Sequence, residues 1–165
     1  MRLVNVSFVI LATLLATAAC GGGDDSASSS STGASTTVPT TSAACAADTR
    51  KDVYVAGLTK NAGTMSVKLM SASPSPPSTG VNTLSLELLD ATGAAIDGAT
   101  LTVTPWMPDH AHGSSVKPGV VAAGGGRYTV SNVYLVMAGL WQVKVSVQRA
   151  PGDVEEATFQ FCLDG

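Results

Sequence analysis

Trp141-Gln142-Val143-Lys144-Val145-Ser146-Val147-Gln148 alternates apolar and polar side chains without a break. In an extended chain successive side chains point to opposite faces. Trp141, Val143, Val145 and Val147 therefore share one face, and Gln142, Lys144, Ser146 and Gln148 the other. One face against a core and one in water is the pattern of an antiparallel strand. The same period runs outward from this stretch in both directions. Downstream, Ala157, Phe159, Phe161 and Leu163 alternate with Thr158, Gln160 and Cys162. Upstream, Tyr128 and Val130 flank Thr129, and Leu101 and Val103 sit among Thr100, Thr102 and Thr104. Leu84, Leu86 and Leu88 alternate with Ser85 and Glu87; Met65, Val67 and Leu69 with Ser66 and Lys68; Val53 and Val55 with Asp52 and Tyr54.

Turn chemistry separates these runs: three prolines between Ser71 and Gly80, Asp90-Ala91-Thr92-Gly93, Asp97-Gly98, Gly124-Gly125-Gly126 and Pro151-Gly152-Asp153. No segment carries a 3.6 period. The spacing predicts an all-β fold, an immunoglobulin-like β-sandwich of about seven strands. The Cys…Trp…Cys spacing of antibody domains is missing.

The N-terminus reads differently. Arg2, an apolar run from about Leu3 to Leu15 and small residues up to Cys20 make a secretory signal. The run is shorter than the roughly 20 residues a spanning helix needs. Leu15-Ala16-Thr17-Ala18-Ala19-Cys20 resembles a bacterial lipoprotein signal, in which the cysteine is acylated and becomes the new N-terminus. Thr17 stands where that signal usually has leucine. From Gly21 to about Ala44 the chain is Ser, Thr, Ala and Gly with almost no large apolar residue, a composition that cannot offset the entropy of ordering. The expected organisation is a cleaved lipoprotein signal over 1–19, a flexible tether over 20–44 and the β-sandwich domain over 45–165. The expected partner at this end is the membrane, through lipid on Cys20. Gly21 rather than Asp after Cys20 fits the periplasmic face of the outer membrane over the inner.

The formal charge is −3, with nine Lys and Arg. Phosphate affinity comes from clustered basic residues, so nucleic acid is not an expected partner. Of the three cysteines, Cys20 is assigned to lipid, which leaves Cys45 and Cys162. In an oxidising compartment these two are expected to form a disulfide between the domain's first and nearly its last residues. The alternative is two free thiols. Cys162 falls on the face opposite Phe159 and Phe161, so the bridge is expected at the periphery.

One segment departs from alternation: Thr104-Pro105-Trp106-Met107-Pro108-Asp109-His110-Ala111-His112-Gly113, which holds both histidines. Pro105 and Pro108 work against strand pairing, and Gly113 permits a turn, so a stiff loop is expected. Imidazole suits copper, zinc and nickel, and a thioether suits reduced copper. His110 and His112 lie on one side of an extended chain about 7 Å apart. A bend brings both to one ion, with Met107 reaching the same point if Pro108 turns the chain. Asp109 is expected behind them, accepting from an imidazole N–H and fixing its tautomer. Met65, Met70 and Met137 are further sulfur sources. The competing reading is that the two histidines are polar surface and Met107 is core. A hydrolytic set of Asp109, His110 and Ser114 or Ser115 is disfavoured, because neighbours in an extended chain point opposite ways and a triad needs its base oriented on the nucleophile. No enzymatic activity is expected.

Gly80-Val81-Asn82-Thr83-Leu84-Ser85-Leu86, then Trp106 to Gly113, then Gly126-Arg127-Tyr128 and Met137-Ala138-Gly139-Leu140-Trp141-Gln142-Val143, resembles the YtkA-like domain family, with related exported domains in FixH-type proteins. The resemblance covers roughly Asn82 to Val147. It implies a small immunoglobulin-like sandwich outside the cytoplasm, with links to copper handling and oxidase maturation. Met107, His110 and His112 match the family's Met-Pro…His loop; Tyr128, Gly139 and Trp141 match its scaffold. The expected function is thus a lipid-anchored cell-envelope module that binds or delivers a metal ion, copper before others, through Met107, His110 and His112, with a copper-receiving or envelope protein as partner. The alternative is a metal-free envelope module using Trp106 to Gly113 as a protein-contact surface.

Overall fold

Alternating runs become strands because each buries one face, and the computed structural model describes them over residues 43–165. The signal over 1–19, Cys20 and the tether up to residue 42 lie outside the described residues. A short helix α1 (Ala43–Ala47) is followed by nine strands. These are β1 (Leu58–Ala62), β2 (Met65–Ser73), β3 (Gly80–Asp90), β4 (Thr100–Met107), β5 (His112–Gly113), β6 (Gly119–Gly124), β7 (Arg127–Leu135), β8 (Gly139–Ala150) and β9 (Asp153–Leu163).

They make two antiparallel sheets, β1-β2-β3-β7-β6 and β5-β4-β8-β9. The fold is a β-sandwich, with nine strands where the sequence pattern gave seven. The additions, β1, β5 and β6, are all edge strands, and β6 is largely exposed. Val67, Leu69, Leu84, Leu86, Leu88 and Val130 of one sheet belong to the same buried core as Val103, Trp141, Val143, Val145, Val147 and Phe159 of the other. The alternation read in β2, β3, β4, β7, β8 and β9 thus selects the core.

It misleads in one place. Val53 and Val55 are not core; they are 78% and 53% exposed. Tyr54 packs inward instead, its ring edge-on to Phe161 with centroids 6.3 Å apart. The neighbouring Asp52 fixes this phase: its N–H donates to the Gln160 carbonyl at 2.7 Å, and its carboxylate accepts from the Gln160 N–H at 2.8 Å.

Cys45 and Cys162 are joined by a disulfide across 117 residues. Cys162 is partly exposed and pairs with Leu140, on the outward face of β9. The bridge holds α1 against that face, where Leu140 is buried. Register shows which loops share an end of the sandwich. Trp106 near the end of β4 pairs with Gln142 near the start of β8, Gly139 pairs with Leu163, and Gly80 pairs with Leu135. The β4–β5 connection, the Val136–Ala138 connection and the disulfide therefore gather at one end.

Candidate metal centre

The segment from Thr104 to Gly113 is not a loop throughout. β4 continues through Pro105, which pairs with Val143, to Met107. Pro105 is tolerated because β5 covers only Trp106 and Met107, so the other edge of β4 is free there and a missing N–H breaks no ladder. The chain turns over Pro108 to Ala111, with Ala111 at φ 52°, and returns as His112 and Gly113. The left-handed residue is Ala111, not Gly113. Gly113 serves another need: a Cβ there would stand 2.7 Å from the Pro105 carbonyl oxygen, so only glycine lets the return strand close.

This tight hairpin sets the side chains. Met107 and His112 are the closing pair. Directly opposed residues of an antiparallel pair share a face, and Met107 faces the core, fully buried. His112 therefore lies at the lip of the core above Met107. Its ring meets Trp141 edge-to-face with centroids 6.2 Å apart. His110, at the exposed tip, has its ring 5.8 Å from that of His112. The two imidazoles are together, and Met107, paired with His112, is buried in the core.

Hydrogen bonding selects the free nitrogen of His112. Its Nδ1 is 3.2 Å from the Gly113 carbonyl oxygen. A carbonyl only accepts, so Nδ1 is the donor, and in the neutral ring this leaves the lone pair on Nε2. That is the arrangement in which an outer partner prepares an imidazole for a metal. The donor set fits a soft or borderline ion: one prepared imidazole, one exposed imidazole beside it and a thioether. Among the described residues no group of three or more His, Cys, Asp and Glu could hold a metal ion. Of the other sulfur sources, Met65 is buried in β2 beside Asp90, at the opposite end, and Met70 is partly exposed in mid-strand. Met137 is at the hairpin's end, 40% exposed, and its carbonyl accepts from Trp141 Nε1 at 2.9 Å.

Asp109 departs from expectation. It does not stand behind an imidazole. Arg50 Nη1 donates to one of its oxygens and Nη2 to the other, each at 2.7 Å. A guanidinium fork matches a carboxylate more strongly than a neutral imidazole N–H does. Arg50 also reaches Asp48, through Nε at 3.1 Å and Nη2 at 2.7 Å. The hydrogen bonds from Arg50 hold the Asp109 carboxyl below its ordinary value, against a smaller desolvation effect, with the charges of Arg50 and His110 adding to the shift and that of Asp48 opposing it. Arg50 is pushed up in turn, by Asp109 first and Asp48 second. Sequence reasoning missed Arg50 because 59 residues separate it from Asp109 and nothing local marks it.

A family model described as YtkA-like matches residues 59–146. That span takes in β1 through most of β8, including the hairpin. Among solved structures, a copper-bound variant of FetP from uropathogenic Escherichia coli strain F11 is similar at 12% identity and a TM-score of 0.44, covering 68% of this chain and 97% of that one. A likeness of that extent adds nothing to the reading of the site. No curated protein matches the chain.

Proposed function

The chain belongs to the YtkA-like family, and for this member of it we propose a cell-envelope module that binds and passes on a metal ion, copper before others. His110 and His112 supply the imidazoles and Met107 the thioether. Bound there, copper would be a cargo held by few ligands, which favours transfer over storage. Lipid on Cys20 would tether the module, and a copper-receiving envelope protein would be its partner. No catalytic step belongs to this reading.

The observation that carries it is the paired imidazoles at the mouth of the hairpin, with His112 Nδ1 already committed to the Gly113 carbonyl and Nε2 left with its lone pair.

The experiment is calorimetric titration of Cu(I) and Cu(II) into the purified protein, beside the variant Met107→Leu, His110→Ala, His112→Ala. Leucine keeps the core volume at Met107. Wild type is expected to bind one equivalent and the variant none. Equal binding by both would end the proposal. It would leave the second reading, a contact surface built on Trp106, which is partly exposed on the outer side of β4.

A further inference from the structure

Asp109 immediately precedes His110, on the turn that carries the site. A carboxylate is a hard oxygen donor, and as the turn is folded Asp109, His110 and His112 form no group that could hold a metal ion. Oxygen donors shift a site toward divalent ions, whereas imidazole with thioether favours reduced copper. Asp109 is not at liberty to take that role, since both of its oxygens accept from the one guanidinium. The guanidinium itself is well placed. Arg50 lies between Cys45, bridged to Cys162, and Asp52, bonded twice to Gln160. Asp48 further orients its fork.

We propose that Arg50 sets the metal selectivity of the hairpin: by occupying both oxygens of Asp109 it keeps a carboxylate off the ion and leaves a donor set of imidazole and thioether. Arg50 is a positioning residue, acting through Asp109 and touching no metal. The inference rests on the copper-binding reading above and adds what decides the oxidation state and the excluded ions. Arginine is needed for geometry, because an ammonium is a point charge and covers one oxygen at a time.

The test compares Cu(I), Cu(II) and Zn(II) affinities, by competition titration, in wild type, Arg50→Gln, Arg50→Lys and the double variant Arg50→Gln, Asp109→Asn. Arg50→Gln is expected to raise Zn(II) and Cu(II) affinity on the order of tenfold, the size of effect that outer partners have on metal sites, with Cu(I) affinity little changed. Arg50→Lys is expected to show part of that gain, and the double variant none. The Cu(II) paramagnetic resonance spectrum of Arg50→Gln is expected to move toward oxygen ligation, which a purely structural role would not produce. Melting temperatures, expected to stay close to wild type because Arg50 and Asp109 are both about half exposed, separate selectivity from unfolding. Unchanged Zn(II) and Cu(II) affinity in Arg50→Gln, or a gain there that is wholly absent in Arg50→Lys, overturns the inference, the latter pointing to simple loss of positive charge. Failure of wild type to bind Cu(I) overturns the copper reading and this inference with it, whereas tight Cu(I) binding with no change in selectivity overturns this inference alone.

Discussion

At Gly139 the backbone takes φ +123°, and a Cβ built there would stand 2.8 Å from Met107 Cε. Two demands meet at this position, a conformation glycine tolerates best and room for the thioether of the closing pair. Gly139→Ala is expected to cost about 1–3 kcal/mol, read from urea denaturation, and to displace Met107 in the same step. Asp109 offers a second check. Its folded-state value lies below the ordinary one, so its contribution to stability is complete above the ordinary value near 3.9 and is lost as pH falls through the lowered one. Titration followed at the Asp109 carboxyl carbon by NMR should give a midpoint below 3.9, returning toward it in Arg50→Gln. A midpoint in wild type at the ordinary value would mean the ion pair does not persist in solution. Sequence reading singled out Met107, His110 and His112 because methionine and both histidines crowd one proline-flanked stretch, and the fold does bring the two imidazoles together. It misassigned Asp109 because a residue's partner is a matter of the fold, and Arg50 carries no local signature.

Strand parity explains which elements were legible. In β2 the buried residues are Met65, Val67 and Leu69, then Ala72. The register slips between Leu69 and Ser71, leaving Met70 as an extra residue that flips the phase. In β7 they are Tyr128 and Val130, then Val133 and Leu135. There Leu84 pairs with Val130 and Asn82 with Val133, so β7 carries one residue more than β3, and Asn132 sits at φ 57°. Asparagine is among the few residues that enter that region readily. A strict period of two stops at each bulge, which is why β7 read as ending near Val130. β1 and β6 were invisible for another reason: only Ala62 of β1 and no residue of β6 is buried, so little apolar alternation is imposed on them. Asn82 belongs to this scale, since it is the one buried polar side chain, 1% exposed, among the described residues. It accepts from the Ser78 N–H at 3.0 Å and donates to the carbonyls of Ser78 at 2.8 Å and Gly80 at 3.1 Å, closing the proline-rich connection onto β3. Asn82→Ala strands these groups and is expected to cost about 2–3 kcal/mol, measured by chemical denaturation. Faster proteolysis between Ser73 and Ser78 should accompany it, and an unchanged cleavage rate would show that the connection holds by other means.

Across the whole molecule, one covalent link joins α1 to β9 over 117 residues. Loop closure of that length is nominally worth roughly 4–5 kcal/mol in the chain-entropy model. Reduction, or Cys45→Ser with Cys162→Ser, is expected to lower the melting temperature by about 10–20 °C. A fall of only a degree or two would mean that the unbridged chain already keeps its ends together. The sandwich was legible in outline because two sheets must each hide a face. The convergence of α1, Arg50 and the hairpin at one end was not, since it depends on register between strands far apart in the chain. The bridge at Cys45 thus also anchors the short segment from which Arg50 grips Asp109, so a reductant that opens it would slacken the outer clamp on the hairpin as well.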